Sequence, residues 1–344
     1  MPAPDPRDSS TIDALDAQIT RAIQLSPRAS FGQMADVLGV AEQTVARRYR
    51  RLRRDGLMRV TVAIEPRSIG VTVWMVRVRC RPENAGPIAD ALGRRDDVSW
   101  VSILSAGWEV AFNLRSATES ETDELLTRLL PRAAPVLDVS AAAVMHTFVG
   151  GAPTDWEGWR DVLSRDQADA LVSTRIPATT DRGPVELSPG DRALVERLSH
   201  DGRSPYSSLA RTLGSTPGQV TRRIQTLVSS GVIYFDVDLA PAATGRFLSA
   251  LLWLTVAPGR LRAVGDALAE HPDVPFAAAV TGASNMIASV AAVDVPGLYD
   301  FVVTVLADLD GVTGYELAPM TRRIKHAGSL VSGDRLAPPP VASR

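Results

Sequence analysis

Apolar residues recur at helical spacing near the start of the chain: Ile12, Leu15, Ile19 and Ile23 lie three or four apart and predict an amphipathic helix. "FGQMADVLG" follows as a short second helix closed by Gly39, and a third runs from about residue 41 to 55. Beyond Gly70 the period changes. "VTVWMVRVR" alternates as a strand; after it come helical "AGPIADALGRR", strands at "VSWVSIL" and "WEVAFNL", helical "ESETDELLTRLL" and a strand at "SAAAVMHTF". A short helix, a glycine turn and a second helix form a helix-turn-helix, and the order β-α-β-β-α-β is ferredoxin-like.

The whole pattern then returns. At an offset of 175 (191 − 16), Asp16 falls on Asp191, Arg28 on Arg203, Val45 on Val220, Arg47–Arg48 on Arg222–Arg223, Leu52 on Leu227, Gly56 on Gly231 and Gly70 on Gly245. Copy 2 repeats the helices with Leu194, Val195 and Leu198, with "YSSLARTLG" and with residues 217–230. Its second part reads "FLSALLWLTV", "RLRAVGDALAEH", "PFAAAVTG", "MIASVAAV", "VPGLYDFVVTVLADL" and "YELAPMTRRI". The predicted fold class is α+β: two tandem copies of a helix-turn-helix domain followed by a ferredoxin-like βαββαβ domain. The expected boundaries are 11–60 and 71–150 for copy 1, a linker at 151–185, and 186–235 and 246–327 for copy 2. "DWEGWRDVLSRDQADALV" within the linker carries a possible short helix.

Composition narrows the partners. The 344 residues have a formal charge of −2, one lysine (Lys325) and one cysteine (Cys80), which excludes an internal disulfide and a Cys-rich zinc site. "MPAPDPRDSS" has no apolar stretch of a signal peptide, and "FLSALLWLTVA" is far short of a membrane span, so a cytoplasmic setting without a membrane partner is expected. The tail "APPPVASR" reads as disordered.

Against that near-neutral balance, "TVARRYRRLRRDG" (residues 44–56) holds six arginines in thirteen positions. On a helical wheel Val45, Tyr49 and Leu52 form one apolar stripe, while Gln43, Arg47, Arg50, Arg51 and Arg54 lie opposite and Arg48 and Arg53 flank the stripe. This outward face contains no acid, and Arg47/Arg51 and Arg50/Arg54 are like-charge i,i+4 pairs that destabilise a helix mildly. A solvated face usually mixes signs; a face that meets double-stranded DNA does not, because arginine grips guanine edges and phosphates in the major groove. The matching positions of copy 2 are Gly218, Arg222, Gln225, Thr226 and Ser229, so most of the charge is gone. There Thr216, Pro217 and Gln219 make a capping box that copy 1, with Ala41, lacks. Candidate DNA-binding residues are Gln43, Thr44, Arg47, Arg48, Arg50, Arg51 and Arg54, with Gln219, Arg222, Arg223 and Gln225 in copy 2; copy 1 is expected to supply most of the affinity, and copy 2 is either a weak contact or structural.

The stretches "LDAQITRAIQLSPRASFGQMADVLGVAEQTVARRYRRLRRDGL" and "GDRALVERLSHDGRSPYSSLARTLGSTPGQVTRRIQTLVSSGVI" carry a resemblance to the leucine-responsive/asparagine-regulator (Lrp/AsnC) family of bacterial transcription factors, in tandem duplicate. The resemblance implies sequence-specific DNA binding. It also implies a ferredoxin-like domain that dimerises and binds a small effector, such as an amino acid, near a Gly-x-x-Asp turn between the two middle strands. The corresponding residues are Gly107, Trp108 and Glu109 in "SAGWE" and Thr281, Gly282, Ser284 and Asn285 in "TGASN". The third place after glycine holds Val110 and Asn285 instead of aspartate, so the ligand differs or is absent, and the glycines equally fit plain tight turns. The family's separate chains pair their sheets; here the two copies are expected to pair within one chain, with a homodimer or higher homo-oligomer of chains beyond that. No catalytic residue, cofactor or metal site is predicted. Two other readings stand beside the regulator: a sirohaem decarboxylase-like enzyme, since some relatives of the family have that activity, with His146 and His326 near the ends of corresponding strands; and a DNA-silent effector-binding protein.

Overall fold

Capping chemistry sets where the first helices begin. In a computed structural model of the chain, which describes residues 12–116, 118–133, 135–150, 160–172 and 185–338, α1 (Ala14–Leu25) starts at Asp13 in a reciprocal capping box with Asp16, and α2 (Phe31–Leu38) starts at Ser30 in one with Gln33. Gly39 ends α2 in the left-handed region, at φ +67°. α3 (Glu42–Arg54) begins at Ala41 with no side-chain cap. β1 (Met58–Ile64), β2 (Thr72–Cys80), α4 (Pro82–Gly93), β3 (Val98–Leu104) and β4 (Glu109–Ser116) follow. A helix of three segments, α5 (Glu119–Asp123), a π-type stretch Glu124–Leu129 and α6 (Leu130–Arg132), leads to β5 (Val136–Val149).

The possible linker helix appears in part, as α7 (Arg165–Val172) after a 3₁₀ turn at Arg160–Val162; residues 151–159 and 173–184, like the N-terminal segment to 11 and the tail from 339, lie outside the described residues. Copy 2 then gives α8 (Pro189–His200), α9 (Tyr206–Thr212), α10 (Pro217–Ser229), β6 (Ile233–Leu239), α11 (Pro241–Thr244), β7 (Leu248–Val256), α12 (Leu261–Glu270), β8 (Phe276–Val280), β9 (Met286–Ala292), α13 (Val295–Asp300) and β10 (Val312–Arg323). α10 carries the Thr216/Gln219 capping box that the sequence announces.

The two compact units of the chain cut across the repeat. One takes residues 1–69, 159–245 and 333–344 and so gathers both helix-turn-helix parts; the other takes 70–158 and 246–332 and gathers both ferredoxin-like parts.

In the first unit β1 and β6, two strands the sequence reading passes over, form an antiparallel ribbon. Its register runs from Met58 opposite Leu239 to Ile64 opposite Ile233, with Thr61 facing Asp236 at the centre. Thr61 and Asp236 are themselves repeat equivalents (236 − 61 = 175), so the ribbon has an internal two-fold axis. Flanking bonds obey it: Glu65 N donates to Val232 O and Ala240 N to Leu57 O, both at 2.9 Å. The strands are exchanged, for Val62 of copy 1 is buried in a cluster with Leu194, Leu198, Ile224 and Leu227 of copy 2. A reciprocal clasp closes the pair: Arg28 donates to the carbonyls of Gly202 (2.6 Å) and Ser204 (3.0 Å), and Arg203 to those of Pro27 (2.5 Å) and Ala29 (2.7 Å). Arg28 also stacks on Tyr206, 4.1 Å from the ring centre.

In the second unit each copy makes a four-stranded sheet, β3-β4-β2-β5 and β8-β9-β7-β10, and the two join edge to edge (β5 to β8, β10 to β3) into a closed barrel of eight strands. The pairing of the two sheets within one chain is thus present, and closure leaves no free sheet edge. Met75, Leu104, Ala111, Leu251, Trp253, Val280, Ile287 and Ala318 fill the inside; the helices cover the outside over separate cores. Gly265 in α12 lets that helix come down on the Phe148 ring of β5, where an added Cβ would collide with the ring. Gly265→Ala should therefore cost about 1–3 kcal/mol in a denaturant melt, the usual range for overpacking. Gly86→Ala in α4, with nothing within 4 Å of the new Cβ, should be neutral or stabilising by up to about 1 kcal/mol. Equal effects at the two sites would contradict this packing.

Candidate nucleic-acid interface

Helix α3 buries Val45, Ala46, Tyr49 and Leu52, and Phe31 packs on Tyr49 with ring centres 5.4 Å apart. The rest of its surface is not one uniform basic face. Arg48 pairs with Asp13 and lies 3.3 Å from Asp16 Oδ1, and Arg51 donates to the other oxygen of Asp16, which is fully buried. Arg53 pairs with Asp201 of copy 2 at 2.9 Å, and Arg54 Nε with the adjacent Asp55 at 2.9 Å. The expectation of a face without acids is corrected here: α3 itself carries one exposed acid, Glu42, in its first turn, and α1, copy 2 and Asp55 at the helix end deliver others, so Arg48 and Arg51 neutralise carboxylates of their own fold. The Arg48 guanidinium in turn holds the Asp13 carboxyl below the usual carboxylate range. Gln43, Arg47 and Arg50 are exposed, and among the described residues neither Arg47 nor Arg50 has an ion-pair partner. Thr44 is half-buried; Arg54 remains largely exposed at 74%.

Copy 2 repeats the internal pair. Arg223, the equivalent of Arg48, donates Nε to Asp191 Oδ1 and Nη2 to Oδ2 at 2.5 Å each, and Asp191 is as buried as Asp16. Arg223, followed by the Ser188 hydroxyl and backbone, lowers the Asp191 pKa to about 2. A carboxyl depressed in the folded state contributes stability above its ordinary value of about 4 and loses it as the pH falls toward 2. The stability difference between the wild type and Asp191→Asn should therefore be full, about 2 kcal/mol, at pH 6 and shrink between pH 4 and 2; a pH-independent difference in urea melts would refute it. Gln219 is spent on the helix cap, its Oε1 accepting from Thr216 N at 3.2 Å. Arg222 and Gln225 are exposed on the outer side of α10. One signal was present in the sequence: Asp16/Asp191 and Arg48/Arg223 keep opposite charges in register through both copies, as a structural pair would.

The candidate effector turns are also occupied by their own fold. Gly107 and Gly282 both have positive φ, +95° and +109°; a Cβ at Gly107 would press on Pro82 at 3.2 Å, whereas Gly282 faces open space. Trp108 is 52% exposed, and Ser284 is half-buried. Glu109 is buried and accepts from Arg77 Nη2 through both oxygens at 2.8 Å. Arg77 also bonds Glu316, at 2.6 and 3.0 Å, and stacks 3.9 Å over the Trp253 ring. Burial opposes the Arg77 charge, but the two carboxylates outweigh it and raise its pKa. Asn285 is tied to the backbone of Val256, accepting from N at 2.9 Å and donating to O at 2.7 Å. Thr281 Oγ1 accepts from Ala143 N at 2.9 Å.

Strand register corrects the alignment of these turns. Val110 faces Val78, and Met286 faces Leu254, a shift of 176 in both (254 − 78, 286 − 110). Glu109 is therefore the counterpart of Asn285, and copy 1 does place an acid at this turn. His146 packs edge-on against Phe148 (4.6 Å) and His326 against Trp100 (4.2 Å). Among the described residues no three metal-ligating side chains cluster, and no helix is long and apolar enough to cross a membrane.

Comparison with known proteins adds to this geometry. The sequence model of the AsnC-type helix-turn-helix domain matches residues 12–53 and 187–228, and that of the Lrp/AsnC ligand binding domain matches residues 249–330. An uncharacterised helix-turn-helix transcriptional regulator of Pyrococcus horikoshii is 31% identical over 138 residues, covering 40% of this chain and 87% of its own length. The regulator LrpA of Pyrococcus abyssi is 26% identical over 136 residues, or 39% and 96% of the two chains. Among solved structures, the sirohaem decarboxylase NirDL aligns over 92% of this chain and 93% of its own with a TM-score of 0.62 and 16% identity, a likeness of fold.

Proposed function

The chain belongs to the Lrp/AsnC family of helix-turn-helix transcriptional regulators, with the family module present twice, and from that premise we propose that it binds double-stranded DNA in a sequence-specific way, chiefly through α3 of copy 1. The observation that carries the reading is the pair of exposed guanidiniums, Arg47 and Arg50, without an ion-pair partner among the described residues, beside Gln43 on a helix whose other arginines are held by acids. A helix of this size enters the major groove, where arginine reads guanine O6 and N7 and the amide of Gln43 reads adenine or bonds a phosphate. Arg48, Arg51 and Arg223 then act indirectly, by fixing α3 and α10 on α1 and α8; Arg222 and Gln225 make the second contact, and Thr44 and Arg54 border the first. The ferredoxin-like unit is the place for a small effector. An amino-acid ligand reaching Glu109 would compete with Arg77 for it, and Asn285 would have to leave Val256. Homo-oligomers of the chain, in the cytoplasm and on the nucleoid, complete the proposal.

The decarboxylase-like fold supports one competing reading, in which His146 and His326 would serve a tetrapyrrole. Both rings are packed against aromatic neighbours, and no catalytic role is assigned to them. The deciding experiment pairs two titrations of the full chain. Anisotropy of a labelled mixed-sequence duplex should show binding that weakens steeply with salt, and addition of an iron tetrapyrrole should give no bound Soret band. No duplex binding at low salt would overturn the proposal.

A further inference from the structure

From the internal symmetry of the first unit we infer that a single chain is a complete two-headed reader of an inverted DNA site with unequal halves, and so binds in one fixed orientation. The inference rests on the DNA-binding reading above. Its first support is the two-fold axis at Thr61 and Asp236. The paired bonds at Glu65/Val232 and Ala240/Leu57 obey the same axis, as does the reciprocal Arg28/Arg203 clasp. These contacts relate α3 to α10 as the two recognition helices of a symmetric dimer are related, and a protein two-fold calls for an inverted repeat in the DNA.

The second support is that the two heads are chemically unlike. Across equivalent outward positions, Gln43 faces Gly218, Arg47 matches Arg222, Arg50 becomes Gln225, Arg51 becomes Thr226 and Arg54 becomes Ser229. Arg51 is committed to Asp16. Of the four positions left, Gln43 meets a glycine with no side chain and Arg54 a serine whose hydroxyl donates to Thr226 O, so Arg47/Arg222 and Arg50/Gln225 are the two at which both copies carry a long base-reading side chain. Arg47 and Arg222 ask for the same base, guanine. Arg50 and Gln225 ask for different ones, since arginine fits guanine O6 and N7 and glutamine fits adenine N6 and N7. The half-sites should thus share a guanine at one step and differ, guanine against adenine, at another.

The pairing of unlike halves is also fixed inside the barrel. Arg77 and Trp253 occupy equivalent positions (253 − 77 = 176), as do Ser140 and Glu316 (316 − 140 = 176), following the matched pairings Arg77 with Ser140 and Trp253 with Glu316. Pairing copy 1 with copy 1 of another chain would set Arg77 against Arg77 and leave out Glu316. Pairing copy 1 with copy 2 gives the stacked, doubly ion-paired arginine that is present. A homodimer of chains would carry two readers, each on its own site.

The test is selection of duplexes from a random-sequence pool by the full-length chain, followed by sequencing and by native mass measurement of the selected complex. The expected motif is inverted, with halves of unequal information and one chain per motif. Its second half should prefer adenine over guanine at the distinguishing step by about tenfold, the size of one bidentate contact. Gln225→Arg, at an exposed position that leaves the core untouched, should change that half alone and make the motif more symmetric; Arg50→Gln should do the same from the other side. Two identical halves, a direct repeat, two chains per motif, or a motif indifferent to Gln225→Arg would each overturn the inference while the regulator reading stands. Failure of the wild type to enrich any duplex would overturn both.

Discussion

Replacing Arg47 and Arg50 together by alanine should lower affinity for duplex DNA by about 100-fold at physiological salt and flatten the log–log salt dependence by about two units. Each base-reading arginine is worth about 1–3 kcal/mol, and each phosphate-neutralising one contributes close to one unit of slope. Both side chains are exposed and have no ion-pair partner among the described residues, so the folded state should not change, and the denaturation midpoint provides that control. The contrast within the same helix is informative. Arg51→Ala, one position from Arg50, removes a partner of buried Asp16 and should show itself first in stability. Arg222→Ala, alone on a sparsely charged α10, should cost about tenfold in affinity and about one unit of slope. Unchanged affinity and slope in the Arg47/Arg50 double variant would remove α3 of copy 1 from the interface.

How far the sequence alone reaches depends on the range of each interaction. Local periodicity places the strands and helices of both ferredoxin-like halves, and the missing cap at Ala41 and the complete one at Thr216 can be read from four residues each. The exchange of β1 and β6 cannot be read this way. "MRVTVAI" and "IYFDVDL" are ordinary half-buried strands, and their pairing joins residues about 175 positions apart. The same limit explains the arginines of α3. A helical wheel sees which side chains share a face, but Asp16 lies 32 and 35 positions before Arg48 and Arg51. The repeat held the missing information. Arg28/Arg203, Asp16/Asp191 and Arg48/Arg223 stand out as matches between copies, and each proves to be a contact rather than a mark of descent. Positions that differ between copies, Arg50 against Gln225 and Arg54 against Ser229, are those the fold leaves facing outward. At the effector turns the sequence offset of 175 misplaces Glu109 by one residue: the two turns are equally long, Ile103 facing Val110 as Ala279 faces Met286, and the extra residue of copy 2 enters between Gly70 and β2, where only strand pairing reveals it.

Asp16→Ala should destabilise the helix-turn-helix unit by about 3–5 kcal/mol, the cost of leaving a buried charge cluster without its counterpart. Three losses coincide there. Arg51 loses the carboxylate that holds it and Arg48 loses the second of its two, keeping Asp13, and Arg51 Nε already lies buried without a hydrogen-bond partner. The capping box of α1 loses the acceptor for Asp13 N, at 3.1 Å. α1 and α3 lose a cross-link that no apolar contact replaces at that point. Asp16→Asn keeps shape and part of the cap but not the charge, so it should fall between wild type and alanine. The combination Asp16→Leu, Arg48→Met and Arg51→Met removes all three charges and should recover much of the loss, because an apolar cluster of similar volume needs no partner. That triple variant also separates the two roles assigned to α3. It discards two of its six arginines, yet because Arg47 and Arg50 remain, it should still bind duplex DNA to within about tenfold of wild type. Binding lost in the refolded triple variant, with its melting midpoint restored, would show that Arg48 or Arg51 touches DNA and that their pairing with Asp16 yields when DNA arrives.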